Sequence, residues 1–186
     1  LMFARLRDCR CCSDTLIPEE GTSLLVNTAL GLIAGLPAGD GRNLTVIDMG
    51  TGCGNIAISL ALRSTHTTIL ASDVSAEAID VARRNVDRYG LQERVRLFCG
   101  DAFAPFRTPE HEGRVDMVVC NPPYIPTGSL SRLPPEVIDH EPRLALDAGP
   151  YGLDFYRRLI DESRPILRPG GILVFEIGEG QERLLD

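Results

Sequence analysis

The most informative part of the chain is Val-Asp-Met-Val-Val-Cys-Asn-Pro-Pro-Tyr, at residues 115–124. The run from Val115 to Cys120 is short, mostly apolar and rich in β-branched residues, which is typical of a buried strand. The two prolines that follow lack a backbone N–H and have a fixed φ, so the chain beyond Asn121 continues neither a strand nor a helix. The sequence therefore predicts a stiff loop at the carboxyl end of a buried strand.

This loop has the groups needed to hold an amino group. Open α/β sheets bind ligands at the carboxyl ends of their strands. Asn121 Oδ1 and the carbonyl of Pro122 can both accept hydrogen bonds from a planar –NH2 group, and Tyr124 can pack against its face. We therefore predict that residues 121–124 clamp an amino group that is about to react. The alternative is a rigid loop stop, which the ligand-type residues at three other strand ends disfavour.

Apolar runs and helical patterns alternate along the rest of the chain. Further strands are predicted at residues 44–49, 68–72, 95–99 and 172–177, the last after the turn Pro169-Gly170-Gly171. Helices are predicted at residues 55–63, 75–90 and 153–167. This alternation predicts an α/β fold with a doubly wound, mostly parallel sheet.

The N-terminal part contributes one more helix. Leu24, Leu25, Thr28, Ala29 and Leu32 recur at helical spacing. We expect a single catalytic domain over residues 1–186, with an N-terminal segment and helix over 1–40 and the core over 41–186.

The composition limits the partners. Asp and Glu number 26 against 19 Lys and Arg, a net charge of −7, so we expect no stable nucleic-acid binding. No stretch approaches the roughly 20 apolar residues of a membrane span, and the first residues lack the apolar core of a signal peptide. A cytoplasmic location without a membrane partner is the expectation.

The six cysteines do not predict a metal site. Cys9, Cys11 and Cys12 cluster, but no second Cys or His pair stands at zinc-ligand spacing. We therefore expect reduced thiols and no bound metal.

Three strand ends predict an adenosine-containing ligand. Gly50-Thr51-Gly52-Cys53-Gly54 follows the first strand and opens a helix, where glycines allow a ligand close to free backbone N–H groups. Alone, this motif fits a tight strand-to-helix turn equally well. Asp73 follows the second strand, where an acid can hold both hydroxyls of a ribose. Asp101 follows the third, within expected reach of an adenine amino group. Either acid alone reads more simply as a loop or cap residue.

The details of the turn favour S-adenosylmethionine. Asn55 breaks the Gly-x-Gly-x-x-Gly spacing of a dinucleotide site, and the Gly-Lys-Ser/Thr of a triphosphate loop is absent. Asp48 precedes the turn, and an acid there suits a cationic ligand carrying a sulfonium and an amino group. With the amine clamp nearby, we predict methyl transfer to nitrogen, with S-adenosylhomocysteine as the product.

At this point the residues resemble a known family. Residues 48–54 resemble the first motif of class I methyltransferases, and residues 121–124 resemble the branch that methylates amide or exocyclic amino nitrogens. A longer match is similar to the release-factor glutamine methyltransferases, which methylate the glutamine amide in the Gly-Gly-Gln loop of peptide-chain release factors. That match consists of Asn121-Pro122-Pro123-Tyr124-Ile125-Pro126, Leu133, Glu136-Val137, His140-Glu141-Pro142-Arg143-Leu144-Ala145-Leu146, Gly152-Leu153-Asp154-Phe155-Tyr156-Arg157, Glu176-Ile177-Gly178 and Gln181.

The resemblance implies a Rossmann-like fold and a role for each matched residue. It implies that Asn121 and the Pro122 carbonyl hold the substrate amide, with Pro123 and Tyr124 shaping the pocket; Asn121, Pro122 and Tyr124 are the implied catalytic residues. It implies a protein substrate, a release factor. The implied methyl-donor site consists of Gly50, Thr51, Gly52, Cys53, Gly54, Asp73, Asp101, Ala102 and Asn121.

The sequence departs from the family in three places. The family's Ile-Pro-Arg-Pro-x-Thr-Glu is here Ile-Pro-Glu-Glu-Gly-Thr-Ser, at residues 17–23. The family's helical N-terminal docking domain has no room, and its closing strands after Gln181 are missing, so we expect a sheet without them. Either the sequence is a fragment, or it is a relative with a different substrate.

Other functions stay open at this point. The altered segment at residues 17–23 would suit an N-methyltransferase acting on a small molecule or another protein. A nucleic-acid adenine methyltransferase shares Asn-Pro-Pro-Tyr, but the net charge of −7 disfavours it. A non-catalytic binding module is disfavoured by the intact glycine turn, acids and clamp.

Overall fold

The computed structural model of the chain describes residues 20–37, 41–134 and 143–184. All strand pairs in the sheet are parallel, and the order is β3-β2-β1-β4-β5. The predicted doubly wound parallel sheet is therefore confirmed. The strands are β1 (Leu44–Met49), β2 (Thr67–Asp73), β3 (Val95–Cys99), β4 (Val115–Cys120) and β5 (Leu167–Phe175).

Helices connect the strands and cover the sheet. Ser75 caps the third helix, because its Oγ accepts a hydrogen bond from the Ala78 N–H at 3.1 Å. Among the described residues, no helix combines the length and apolar character that crossing a bilayer requires. The helices are α1 (Glu20–Gly35), α2 (Asn55–Arg63), α3 (Ala76–Arg88), α4 (Arg143–Leu146) and α5 (Asp154–Ser163), with 3-10 turns at Ala104–Phe106, Thr127–Arg132 and Glu182–Leu184.

Strand β4 is buried along its whole length because both faces of the sheet are covered. Met117 and Val119 pack in one apolar layer with α1, α2 and α3. Val118 and Cys120 pack in a second layer, with α5 and the segment around Phe106. A parallel strand buried on both faces favours a nearly continuous apolar sequence, which residues 115–120 have apart from Asp116.

The buried face of α1 differs from the predicted one. Leu25 and Ala29 are buried as expected, but Leu24 is 70% exposed and Leu32 is 37% exposed. Apolar residues lie on more than one side of this helix, so spacing alone does not select the inner face. The residues that face the core are Thr22, Leu25, Val26, Ala29 and Ile33.

The Pro169-Gly170-Gly171 stretch lies inside β5, and the prediction of a turn before the strand was wrong. Val115 of β4 pairs with Leu167, whereas Met117 pairs with Ile172, so residues 168–171 form an irregularity in the ladder. Gly170 has φ +75°, which favours glycine. A bulge therefore accommodates the residues that otherwise break a strand.

Asp116 joins three segments at the amino end of the sheet. Its fully buried carboxylate accepts hydrogen bonds from Arg42 at 2.7 and 2.8 Å, from Arg168 Nε at 2.6 Å and from the Thr45 N–H at 2.8 Å. Burial raises the pKa of Asp116, but the hydrogen bonds from Arg42, Thr45 and Arg168 outweigh it, so the pKa lies below its ordinary value. The carboxylate thus ties the segment before β1 and the bulge of β5 to β4.

We predict that Asp116→Asn lowers the free energy of unfolding by about 2 kcal/mol at neutral pH, since charged hydrogen bonds are lost. Because the folded-state pKa is depressed, this stabilisation is present above the ordinary carboxyl pKa and disappears as pH falls through the folded-state value. Urea unfolding of both proteins, at neutral pH and in acid, should show a gap that narrows in acid. Glu110→Gln is the control, because Glu110 and Arg96 are exposed and 3.7 Å apart. A gap independent of pH, or an equal loss in the control, would contradict the assignment.

Candidate active site

The glycine turn and the Asn-Pro-Pro-Tyr loop leave the sheet side by side. Met49, which precedes Gly50, is the register partner of Cys120, which precedes Asn121. Neighbouring strands lie about 4.8 Å apart. The strand order reverses between β1 and β4, and ligands of open α/β sheets bind at the carboxyl ends of the strands where this happens.

The described residues enclose a cavity of about 580 Å³ at this edge, a volume suited to a small-molecule ligand. Most of the predicted site residues share its wall. Three predicted residues, Gly54, Pro122 and Tyr124, are not among the described residues that line it. The predicted residues that do line it are Gly50, Thr51, Gly52, Cys53, Asp73, Asp101, Ala102, Asn121 and Pro123.

Backbone bonds hold the glycine turn against the end of β2. Gly50 and Gly52 have φ of +69° and +54°, in the left-handed region that favours glycine. The Thr51 N–H donates to the Ser72 carbonyl at 2.9 Å, and the Gly52 N–H donates to Asp73 Oδ2 at 2.9 Å. The turn and Asp73, the residue predicted to bind the ribose, therefore form one hydrogen-bonded unit.

Asp73 is oriented for a ligand with hydroxyl groups. Its second oxygen, Oδ1, accepts a hydrogen bond from the Ser75 N–H at 3.0 Å. A carboxylate can accept about four hydrogen bonds, so each oxygen of this cavity-lining residue keeps acceptor capacity. This geometry fits the predicted contact with two ribose hydroxyls.

Asp101 has a partner that the sequence did not predict. Arg158 of α5 donates to both of its carboxylate oxygens, at 3.1 and 3.0 Å, and itself lines the cavity. Arg158 also pairs with Glu162 at 3.0 Å. An adenine amino group that approaches Asp101 would therefore share the carboxylate with a guanidinium.

Asp48 lies behind the glycine turn and not on the cavity wall. Its Oδ2 accepts hydrogen bonds from the Thr51 hydroxyl at 2.6 Å and the Ala57 N–H at 2.9 Å. Burial raises the pKa of Asp48 to about 7, although these two hydrogen bonds lower it. The expected contact between this acid and a cationic ligand is thus indirect, through the turn that Asp48 braces.

Asn55 supplies a buried acceptor on the wall. Its side chain lines the cavity, and its Oδ1 has no hydrogen-bond partner among the described residues. A buried amide oxygen without a partner is unfavourable, and this oxygen has almost no accessible surface on the cavity side. The sequence had used Asn55 only to exclude a dinucleotide site.

The three predicted site residues that do not line the cavity lie next to residues that do. Gly54 packs against α3, where a Cβ would lie 3.3 Å from Ala82 Cβ. Pro122 is buried. The carbonyl of Tyr124 accepts a hydrogen bond from Gln181 Nε2 at 3.0 Å.

Thr22 orients the amide of Asn121. Asn121 Nδ2 donates to Thr22 Oγ1 at 3.4 Å, and Oδ1 receives no donor from the part of the chain that the structure describes. Thr22 is buried and lines the cavity. The amide oxygen is therefore the group that Asn121 offers to a ligand. Thr22 belongs to the segment 17–23 that differs from the family, so the sequence had marked its position but not its role.

The wall opposite the glycine turn comes from residues after the clamp. Leu144 and Asp147 line the cavity, and Leu144 is 63% exposed. Asp147 accepts from the Thr127 hydroxyl at 2.6 Å and from Arg143 at 3.4 Å, and these bonds contribute to a pKa below its ordinary value. Arg143 belongs to the stretch 140–146 that is similar to the release-factor glutamine methyltransferases; residues 140–142 lie outside the described ranges.

The described residues contain no cluster of His, Cys, Asp and Glu suited to a metal ion. Cys9, Cys11 and Cys12 lie outside the described ranges. Cys53, Cys99 and Cys120 form no disulfide; Cys53 and Cys120 are buried and Cys99 is exposed.

Two kinds of sequence relative match this chain at similar identity. A release factor glutamine methyltransferase of Moorella thermoacetica is 44% identical over 166 residues, which are 89% of this chain and 55% of that protein. A ribosomal protein uL3 glutamine methyltransferase of Burkholderia pseudomallei is 43% identical over 137 residues, 72% of this chain and 44% of that protein. The chain spans about half the length of the curated relatives it matches.

The fold is also found among solved structures. The N-terminal domain of human METTL16, in complex with SAH, matches with a TM-score of 0.63 at 19% identity, over 89% of this chain and 58% of that chain. At this identity the likeness concerns the fold alone, and it agrees with the predicted Rossmann-like methyltransferase fold. The family model described as methyltransferase small domain matches residues 19–133, which is more than half of the sequence. The chain belongs to the methyltransferase small domain family.

Proposed function

We propose that the chain transfers a methyl group from S-adenosylmethionine to the side-chain amide nitrogen of a protein glutamine, and that a peptide-chain release factor carries this glutamine. The observation that supports this most is that Asn121 lines the same cavity as the glycine turn and Asp73. Relatives of both kinds carry glutamine methyltransferase in their names, which supports glutamine as the acceptor.

The cavity fits the proposed donor. The turn residues Gly50–Cys53 would lie along it, with Asp73 at its ribose and Asp101 and Ala102 beside its adenine. When bound, S-adenosylmethionine supplies an electrophilic methyl group on a sulfonium.

The clamp addresses the poor reactivity of an amide nitrogen, whose lone pair is delocalised. Asn121 Oδ1 would accept a hydrogen bond from one N–H of the substrate amide, and the Pro122 carbonyl would accept one from the other. These bonds orient the nitrogen and stabilise the positive charge that develops on it. Pro123 lines the pocket and Tyr124 continues the loop outside the lining, and the nitrogen can lose its extra proton to water after the transfer.

The exposed wall suits a protein acceptor. Leu144 lines the cavity while most of its side chain remains accessible. An apolar residue at the mouth of a cavity can contact a loop that inserts a single glutamine. The uL3 relatives make that ribosomal protein the second candidate acceptor.

The first prediction from the proposed function concerns the acceptor. Incubation of the chain with radiolabelled S-adenosylmethionine and a purified release factor should label the factor. A factor whose Gly-Gly-Gln glutamine is changed should stay unlabelled. Label on uL3 alone would keep glutamine methylation and change the partner. Donor binding with no label on either protein would contradict the proposed acceptors.

The second prediction concerns Asn121. Asn121→Ala should lower turnover by about 100-fold, since one preorganised interaction with the developing charge is lost. The dissociation constant for S-adenosylhomocysteine, measured by calorimetry, should stay unchanged. An equal loss of turnover and of binding would show that Asn121 serves the donor and not the acceptor.

The third prediction concerns the orientation of that amide. Thr22→Val keeps the side-chain shape but removes the acceptor for Asn121 Nδ2, so the amide can rotate. We expect turnover to fall roughly three- to tenfold, the equivalent of one hydrogen bond. Thr22→Ser retains the hydroxyl and is the matched control, with turnover near that of the parent chain. Equal turnover of the two variants would refute this role of Thr22.

A further inference from the structure

Gln181 is a buried amide with both ends occupied. Its Nε2 donates to the Tyr124 carbonyl at 3.0 Å and to the Gly152 carbonyl at 3.4 Å. Its Oε1 accepts from the Tyr156 hydroxyl at 3.1 Å and from the Gly178 N–H at 3.0 Å. Two carbonyls require a donor and one N–H requires an acceptor, so these partners fix which way the amide points.

The Tyr156 hydroxyl keeps the proton that it donates to Gln181 Oε1. Burial raises the pKa of Tyr156 to about 12, so its hydroxyl remains protonated and can donate to Gln181. The Gly178 N–H also donates to the Tyr156 oxygen at 3.3 Å. The three residues form one closed hydrogen-bonded network under α5.

Two glycines make room for this network. A Cβ at Gly152, where φ is +72°, would lie 2.6 Å from the Tyr124 carbonyl oxygen and 2.9 Å from Gln181 Nε2. A Cβ at Gly178 would lie 2.8 Å from Gln181 Oε1 and 3.0 Å from Tyr124 Cδ2. Any side chain at either position would therefore push Gln181 and Tyr124 apart.

The network anchors one end of the clamp loop, whose other end is also fixed. The Glu176 N–H donates to the Cys120 carbonyl at 3.1 Å, immediately before Asn121. Gln181 holds the carbonyl of Tyr124, at the far end. The two prolines between these anchors have a fixed φ, which leaves fewer backbone torsions to absorb a shift of Tyr124 before it reaches Asn121.

We propose that Gln181 is a positioning residue, which keeps the Asn121 amide in its reactive place by holding the Tyr124 carbonyl. Gln181 does not line the cavity, so it acts through the loop and touches neither donor nor acceptor. This inference rests on the proposed function for its kinetic consequence, and on the geometry alone for its structural one.

Gln181→Met tests the proposal, because methionine has a similar length and no hydrogen-bonding amide. We expect the kcat for release-factor methylation, per S-adenosylhomocysteine binding site, to fall roughly tenfold, since a small misplacement of a reacting group is costly. The dissociation constant for S-adenosylhomocysteine and the KM for the factor should change less than about twofold. An unchanged kcat per binding site would overturn the proposal.

Thr67→Val is the matched control for lost stability. Thr67 is buried at the amino end of β2, at the other end of the strands from the cavity. Its hydroxyl donates to the Ser64 carbonyl at 2.9 Å. This variant should unfold more easily but keep the kcat per binding site. If Gln181→Met loses turnover only in proportion to its folded fraction, as expected for Thr67→Val, its role is structural and the proposal fails.

Hydrogen exchange separates this inference from the proposed function. In Gln181→Met, peptides covering residues 121–127 should exchange faster than in the parent chain, whereas peptides covering β1 should not. Unchanged exchange in the loop would overturn the positioning role, whatever the acceptor is. Faster exchange, in a chain whose parent form methylates no release factor, would support the anchor and reject the proposed acceptor.

Discussion

The parallel pairing of β1 with β4 is the constraint on which the whole site depends. It places Met49 opposite Cys120, so the glycine turn and the Asn-Pro-Pro-Tyr loop begin at the same level of the sheet. These two segments are far apart in the chain, and no local interaction could bring them together. The apolar layers on both faces of the sheet hold this register, because a slip by one residue would exchange the side chains of β4 between two differently packed layers.

The two halves of the cavity are braced in different ways. The proposed donor half is held by two carboxylates, the half-buried Asp73, which accepts from the Gly52 N–H, and the buried Asp48, which accepts from the Thr51 hydroxyl. The proposed acceptor half is held by neutral groups, with Thr22 at the amide of Asn121 and Gln181 at the end of its loop. Because these supporting groups are neutral, only Asn121 and the adjacent carbonyl would stabilise the positive charge that develops on a substrate nitrogen. The neutral groups also keep the clamp insensitive to pH in the neutral range, unlike a carboxyl whose pKa lies near 7, such as Asp48.

Local signals in the sequence were enough to predict the sheet and some of the residues that line the cavity. Apolar runs, glycines and prolines act over a few residues, and for this reason β1, β3 and the end of β4 were found where the structure has them. The bulge at residues 168–171 was missed because a proline followed by glycines looks the same in a turn and in an irregular strand. Thr22 and Arg158 were missed because their roles depend on how α1 and α5 pack on the sheet. The partners of Asp116, which come from distant parts of the chain, carry no local signal either.

A crystal structure of the chain with S-adenosylhomocysteine and a peptide containing Gly-Gly-Gln would test most directly whether donor and acceptor share this cavity. We expect the thioether sulfur to face the glutamine amide nitrogen, and that nitrogen to lie within hydrogen-bonding distance of Asn121 Oδ1 and the Pro122 carbonyl. Asp73 should contact the ribose hydroxyls. A glutamine amide bound away from Asn121, or a donor bound outside the turn at residues 50–53, would contradict the shared cavity.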